Sequence, residues 1–294
     1  MDLTDISFLQ KISANLKIRP TRSNGQNFLI NKNILLEIIK SGELAGTDTV
    51  LEIGPGFGVL TQELVKYAGR VVAVESDNKL AAWLSANKAQ ITNNRNNLEI
   101  INDDILKFSI SNFLASTAGG QSPINEYKII ANLPYQITSP VLWRFLNEEK
   151  NKPKLILVMV QKEVGERICA APGQMSIMSV MCQFYAECQS MAMVDKNSFW
   201  PEPTIDSMIV KFVITNPFQN RKINELDFFR LVKIGFSAKR KMLKNNLSAG
   251  FKIMPATVAS WLKGVGLSEK IRAQELSVFD WLKIFDRIGK ISYN

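Results

Sequence analysis

The stretch that most constrains this chain is Thr49-Val50-Leu51-Glu52-Ile53, followed by Gly54-Pro55-Gly56-Phe57-Gly58, an amphipathic run to about Tyr67, and then Val71-Val72-Ala73-Val74 ending at Glu75. An apolar run, a glycine-rich turn, a helical period and a second apolar run make one β-α-β unit, and such units build parallel sheets. Glycines at 54, 56 and 58 let the backbone approach a ligand closely. A carboxylate at the tip of the second strand can hold a ribose diol. A dinucleotide site calls for Gly-x-Gly-x-x-Gly with a pyrophosphate on the helix N-terminus. The tighter Gly-x-Gly-x-Gly, with Glu52 in the strand before it, points instead to a nucleoside ligand without phosphates.

Two further strands extend the sheet. Leu98-Glu99-Ile100-Ile101 ends at Asn102-Asp103-Asp104, and residues 127–131 end at Asn132, with a helix-like segment at 108–114 and a loop at 116–123 between them. Each strand therefore carries its polar group at its C-terminal end, and in an open parallel sheet those ends line one crevice. Asp104 suits an adenine amino group, and the same Asp-Asp pair also suits a helix N-cap. The run Ile129-Ile130-Ala131-Asn132-Leu133-Pro134-Tyr135 reads as a buried strand emptying into a stiff loop. Pro134 fixes its own φ and pushes Leu133 out of the helical region. Asn132 and the Leu133 carbonyl can then hold an exocyclic amine while Tyr135 offers a flat face, the parts needed to grip an extruded nucleobase. Taken alone, the string reads more readily as a turn after a strand, and it is the surrounding motifs that favour the base-binding reading.

Downstream, Ser139-Pro140 opens a helix, 155–160 is a buried strand, 162–170 a helix, and 179–187 and 207–214 read as the last strands. Upstream, 33–41 has helical spacing, and residues 1–25 read as a flexible or short-helical basic arm carrying Lys11, Lys17, Arg19 and Arg22 that could touch nucleic acid. A boundary near Pro217 separates a domain at 26–216 from a small helical domain at 217–294. Periodic segments there start near Glu225, Lys239, Pro255 and Val278, with Phe228, Phe229, Trp261 and Trp281 as core.

Composition removes several chemistries. None of the 294 residues is histidine, which excludes imidazole catalysis, Ser-His-Asp hydrolysis and His-ligated metals. Cys169, Cys182 and Cys188 are too few and too irregular for a disulfide frame or a zinc site, so no metal is expected. No apolar run approaches the roughly 18 residues of a membrane span, and no export leader is apparent, so a cytoplasmic protein without membrane contact is expected. The net charge of +9 is unevenly placed: residues 1–195 hold 19 basic and 19 acidic side chains, residues 196–294 hold 17 and 8. No acid occurs from Phe228 to Ser268. Such one-sided charge is the footprint of a phosphate-backbone binder, with Lys239, Arg240, Lys241 and Lys244 as the expected nucleic-acid contacts.

With those residues in view, the chain resembles the ribosomal RNA adenine N6-dimethyltransferases, most closely the 16S rRNA dimethyladenosine transferase family. The resemblance runs from about residue 24 to 285. It is carried by Gln26-Asn27-Phe28-Leu29, Glu52-Ile53-Gly54-Pro55-Gly56-Phe57-Gly58, Glu75, Asp104 and Asn132-Leu133-Pro134-Tyr135. Further matches are Gln161-Lys162-Glu163-Val164, Phe199-Trp200-Pro201-Glu202-Pro203-Thr204-Ile205-Asp206-Ser207 and Arg272-Ala273-Gln274-Glu275-Leu276-Ser277. It implies a Rossmann-like class I methyltransferase sheet with helices on both faces, plus a small C-terminal all-helical domain. It further implies S-adenosyl-L-methionine as methyl donor, held by Asn27, Leu29, Gly54, Gly56, Gly58, Glu75, Asp104 and Asn132, and catalysis by Asn132, Leu133, Pro134 and Tyr135. The implied partner is ribosomal RNA of the small subunit or its precursor, with a monomeric enzyme. Departures from the family pattern are Asp103 in place of a common glycine, Gln174-Met175-Ser176-Ile177-Met178-Ser179, and a loose match at Phe236-Ser237-Ala238-Lys239-Arg240-Lys241. The alternatives are a 23S rRNA or DNA adenine methyltransferase, and a noncatalytic ribosome-assembly factor keeping the fold as scaffold.

Overall fold

A computed structural model describes residues 1–18, 27–115, 124, 126–215 and 223–288. Arg19, Arg22, Gln26, the loop at 116–123 and the boundary near Pro217 lie outside the described residues. In chain order the elements begin with α1 (Ile6–Leu16), β1 (Phe28–Leu29), α2 (Lys32–Ser41), β2 (Thr49–Ile53), α3 (Val59–Tyr67), β3 (Arg70–Glu75), α4 (Asn78–Ala86), α5 (Lys88–Ile91) and β4 (Leu98–Asn102). They continue with α6 (Ile110–Ala115), β5 (Lys128–Asn132), α7 (Thr138–Trp143), β6 (Leu155–Gln161), α8 (Lys162–Ile168), α9 (Ile177–Tyr185), β7 (Ala186–Val194), β8 (Phe199–Trp200) and β9 (Ser207–Ile214). The last four are α10 (Glu225–Gly235), α11 (Leu243–Phe251), α12 (Pro255–Gly264) and α13 (Val278–Ile288).

Seven strands form one sheet in the order β4-β3-β2-β5-β6-β9-β7, and β1 pairs separately with β8. Neighbours from β4 through β6 run parallel, and β9 runs antiparallel to β6. Parallel strands are covered on both faces and so read as continuous apolar runs; Val71, Val72 and Ala73 of β3 are fully buried. Helix α3 places Leu60, Leu64 and Val65 in the same core as Val50 and Val71. Each such side chain contributes about 1.5–3 kcal/mol by leaving water. Lys128, at the start of β5, is buried but satisfied: its ammonium donates to Gly42 O, Glu43 O and Asp48 Oδ2 at 3.1, 2.7 and 2.8 Å. The N-terminal segment is helical as α1, started by the Asp5 carboxylate accepting from Ser7 N. Its Leu9 and Ile12 pack with Phe28, Phe57 and Leu80.

The chain forms two compact units, residues 1–165 with 187–214, and 166–186 with 215–294. The segment 166–186, placed by the sequence reading within 26–216, thus clusters with the C-terminal helices. The strand expected at 179–187 is also corrected: these residues form most of α9, and β7 starts only at Ala186. A reciprocal cap starts the helix, with Ser176 Oγ accepting from Ser179 N and Ser179 Oγ accepting from Ser176 N. An apolar run this short fits either period, and the cap together with burial of Val180, Met181, Phe184 and Tyr185 decides for the helix. In the C-terminal unit Phe228 and Trp281 are fully buried, as expected of a core. The segment expected from Lys239 begins as helix only at Leu243. Before it, buried Asn246 donates to Gly235 O and Ala238 O at 2.6 and 3.1 Å and holds residues 236–242 in a turn.

Candidate active site

Growth of the sheet reverses between β2 and β5, and in open α/β sheets ligands bind where the carboxyl ends of such strands diverge. At that point lies a cleft of about 380 Å³ whose walls include Asn27, Leu29, Glu52, Gly54, Gly56, Glu75, Asp104, Asn132 and Pro134. The strand tips converge as the sequence led one to expect. A Cβ built on Gly54 would sit 3.5 Å from Pro134 Cδ, so the glycine turn and the loop after β5 lie side by side with room for little more than one carbon between them.

The glycine turn is held by its backbone. Gly54 N–H donates to Val74 O at 2.9 Å, Gly58 N–H to Pro55 O at 2.9 Å, and Gly56 N–H to Glu75 Oε2 at 3.0 Å. Gly56 has φ +61°, and a Cβ there would lie 2.7 Å from the Phe28 ring, so conformation and space both demand glycine. Gly58 does not line the cleft; it is the N-cap of α3 and packs against Leu84. Glu75 accepts a second bond from Asp77 N at 2.9 Å. Burial nevertheless outweighs these bonds and pushes its carboxyl above the usual range. Behind it, burial pushes Glu52 up to about 8, opposed in part by the Thr61 hydroxyl beside it.

The opposite wall is made of side chains. Pro134 takes φ −55° and ψ 124°, keeping the loop extended. Asn132 Nδ2 donates to Asn27 O at 2.9 Å, which leaves Oδ1 as the acceptor end of the amide. Tyr135 is half-buried, its hydroxyl bonded to Ser207 Oγ at 2.8 Å and its phenol pushed up by burial. Neither Tyr135 nor the buried Leu133 lines the cleft itself. Asp104 Oδ1 accepts from Leu106 N at 3.0 Å, the capping arrangement, while the residue still borders the cleft.

Sequence reasoning missed several neighbours. Asp77 borders the cleft and caps α4, with Oδ1 accepting from Lys79 N and Leu80 N; an acid two residues past the strand tip was the available signal. Ile105, Gln136 and Ile137 also line it. Arg144 donates to Ile105 O and Phe108 O and so ties the loop after β4 to the segment after α7, a contact with no sequence signal. Of the expected RNA contacts, Lys239, Arg240 and Lys241 are exposed, whereas Lys244 is half-buried and 3.7 Å from Glu269. Among the described residues no group of three His, Cys, Asp or Glu side chains is placed to hold a metal, and no helix is long and apolar enough to cross a membrane.

The cleft has features a nucleoside cofactor would use. Asn27 Oδ1 is buried without a partner, an acceptor waiting for a donor, and the Glu75 carboxylate keeps lone pairs beyond the two backbone bonds it accepts. Comparison with known proteins agrees. The family model for ribosomal RNA adenine dimethylase matches residues 18–290. A protein of Dehalococcoides mccartyi named ribosomal RNA small subunit methyltransferase A is 40% identical over 267 residues, covering 91% of this chain and 88% of that protein. A namesake from Moorella thermoacetica is 38% identical over 272 residues, covering 90% and 91%. Among solved structures, a dimethyladenosine transferase from Plasmodium falciparum superposes with a TM-score of 0.74 at 26% identity, over 90% of this chain and 98% of that one. The 23S rRNA methyltransferase ErmE does so with a TM-score of 0.70 at 25% identity, over 90% and 100%. On the length of the family match and on the cleft that its motif residues build, this chain belongs to the ribosomal RNA adenine dimethylase family.

Proposed function

We propose that the protein transfers methyl groups from S-adenosylmethionine to N6 of adenosines in small-subunit ribosomal RNA, dimethylating them, and that it acts in the cytoplasm as a monomer on the subunit or its precursor. The observation that carries the reading is that the glycine turn and the loop beginning at Asn132 lie side by side and line one cleft, because a methyl can pass only between groups held next to each other.

The cofactor, when bound, supplies a methyl on a positively charged sulfur, already a strong electrophile. Asn27, Leu29, Gly54, Gly56, Glu75 and Asp104 would hold it, with Gly58 acting indirectly by shaping the turn. Adenine N6 is the poor partner, because its lone pair is delocalised into the ring. Asn132 Oδ1 and the Leu133 carbonyl accept its N–H bonds, two before the first transfer and one before the second, which turns the lone pair out of the ring plane and toward the methyl. The displaced proton leaves to water, so the absence of histidine is no obstacle. Tyr135 stacks on the extruded base, a contact of about 1–3 kcal/mol, and Pro134 keeps the loop from relaxing. Lys239, Arg240 and Lys241, with Lys244 in a lesser part, hold the RNA backbone from the helical domain at 217–294.

Labelled methyl transfer from S-adenosylmethionine to purified small subunits, to large subunits and to adenine-containing DNA tests the assignment. Incorporation into the small subunit is expected. Preferential labelling of the large subunit or of DNA would replace the substrate, and binding to the subunit with no transfer would make the protein an assembly scaffold.

A further inference from the structure

The proline-rich stretch from Phe199 to Ser207 has no part in the chemistry above, yet its last residue touches the catalytic loop. We propose that Ser207 is a positioning residue for the target base, its hydroxyl fixing the long axis of the Tyr135 ring; this rests on the methyltransferase reading of the cleft.

The loop after β5 is tied down at both ends by one side-chain bond each. At its start Asn132 Nδ2 donates to Asn27 O at 2.9 Å, and at its end the Tyr135 hydroxyl meets Ser207 Oγ at 2.8 Å. These bonds span 105 and 72 positions of sequence, and between them lie only Leu133 and Pro134. Ser207 is a fixed partner. It is fully buried, it opens β9 and it pairs with Gln161 of β6. The residue before it is anchored twice, Asp206 O accepting from Lys162 N at 3.0 Å and Asp206 Oδ1 from Lys196 N at 3.2 Å.

A phenol oxygen lies on the axis about which its ring spins. A bond there leaves the spin free but sets the direction in which the ring leaves the backbone, and so its distance from Asn132. The base face of the site is thereby referenced to the rigid sheet rather than to the loop alone. Burial keeps the Tyr135 phenol protonated, so the bond persists across the working pH range. Without it the ring would still be present but would sample other directions, and a misplacement of about 1 Å at a reacting centre costs up to ~100-fold in rate.

The test is a double-mutant cycle of Ser207→Ala, Tyr135→Phe and the double variant. Single-turnover methyl transfer to small subunits from cells lacking the protein would be followed, with urea midpoints as the folding control. Each single variant should slow transfer about 10-fold, with KM for S-adenosylmethionine unchanged, and the double variant should be no slower than either single one. Multiplying losses, a Ser207→Ala enzyme as fast as wild type, or a loss confined to KM would overturn the proposal while leaving the methyltransferase reading intact. Wild-type protein inert toward small subunits would overturn both. Should Ser207→Ala fail to fold, Tyr135→Phe decides alone, since it removes the same bond and keeps the ring: full activity overturns the proposal.

Discussion

The two walls of the cleft are built by opposite means. The turn at 54–58 is shaped by its backbone, by N–H bonds from Gly54, Gly56 and Gly58 and by left-handed φ angles, with the buried Phe57 ring anchoring it against Phe28. The loop at 132–135 is held by functional groups, the Asn132 amide and the Tyr135 hydroxyl, each reaching a residue distant in sequence. The difference teaches what each wall can lose. Substitution in the first wall adds volume and strain, so it costs stability and cofactor affinity together. Substitution in the second deletes a group and leaves the fold standing, so it costs rate.

The largest expected effect lies in the second wall. Asn132→Ala should slow methyl transfer about 100- to 1,000-fold, the scale for removing one hydrogen-bonding group aimed at a reacting centre. Urea melts should stay within about 1 kcal/mol of wild type, and a collapse of stability would erase the contrast. Gly56→Ala probes the first wall: its strained φ and the clash with Phe28 should remove about 2–4 kcal/mol of stability, read as a shift of the urea midpoint, and weaken cofactor binding in the same variant. A variant that lost affinity at full stability would show that the glycines matter for ligand space alone. Glu75→Gln joins the two modes, since one amide nitrogen must then face the N–H of Gly56 or Asp77. Cofactor affinity by calorimetry should fall about 10-fold, or about 1.4 kcal/mol.

Glu52 sharpens the comparison through pH. Its carboxyl titrates near 8 when folded against an ordinary 4.5, so between those values the native state keeps a proton that the unfolded chain has released. Stability should therefore fall as pH rises from about 4.5 to about 8, by at most about 1.4 kcal/mol per pH unit for one proton. Glu52→Gln should flatten urea-derived stability across that window, and an undiminished slope would assign it to other groups such as Glu75. The smallest effect belongs to neither wall. Neutralising Lys239, Arg240 and Lys241 should leave single-turnover rate unchanged at saturating RNA while lowering the slope of log affinity against log salt by about 2–3. Lys244→Gln, already near Glu269, should contribute less.

Legibility followed the range of the interactions. The β-α-β unit and the polar strand tips could be read directly, because a glycine turn between two apolar runs is a local pattern whose period survives without neighbours. Segment 179–187 was misread because an apolar run of that length carries no decisive period; the reciprocal Ser176–Ser179 cap and burial on α9 settle it. Gly58 and Tyr135 were expected in the site, but from spacing alone neither could be set behind or beside the cleft rather than in its wall.

By itself the amino-acid order determined that a parallel sheet would end in glycines, carboxylates and an amide, and that imidazole chemistry was closed to it. Tertiary structure alone decided which atoms meet. The Asn132 amide is oriented by Asn27, the Tyr135 ring by Ser207, and the loop after β4 by Arg144. Those pairings depend on strand order and register, which set Asn132 and Tyr135 against partners 105 and 72 positions away in sequence, a range no local pattern can report.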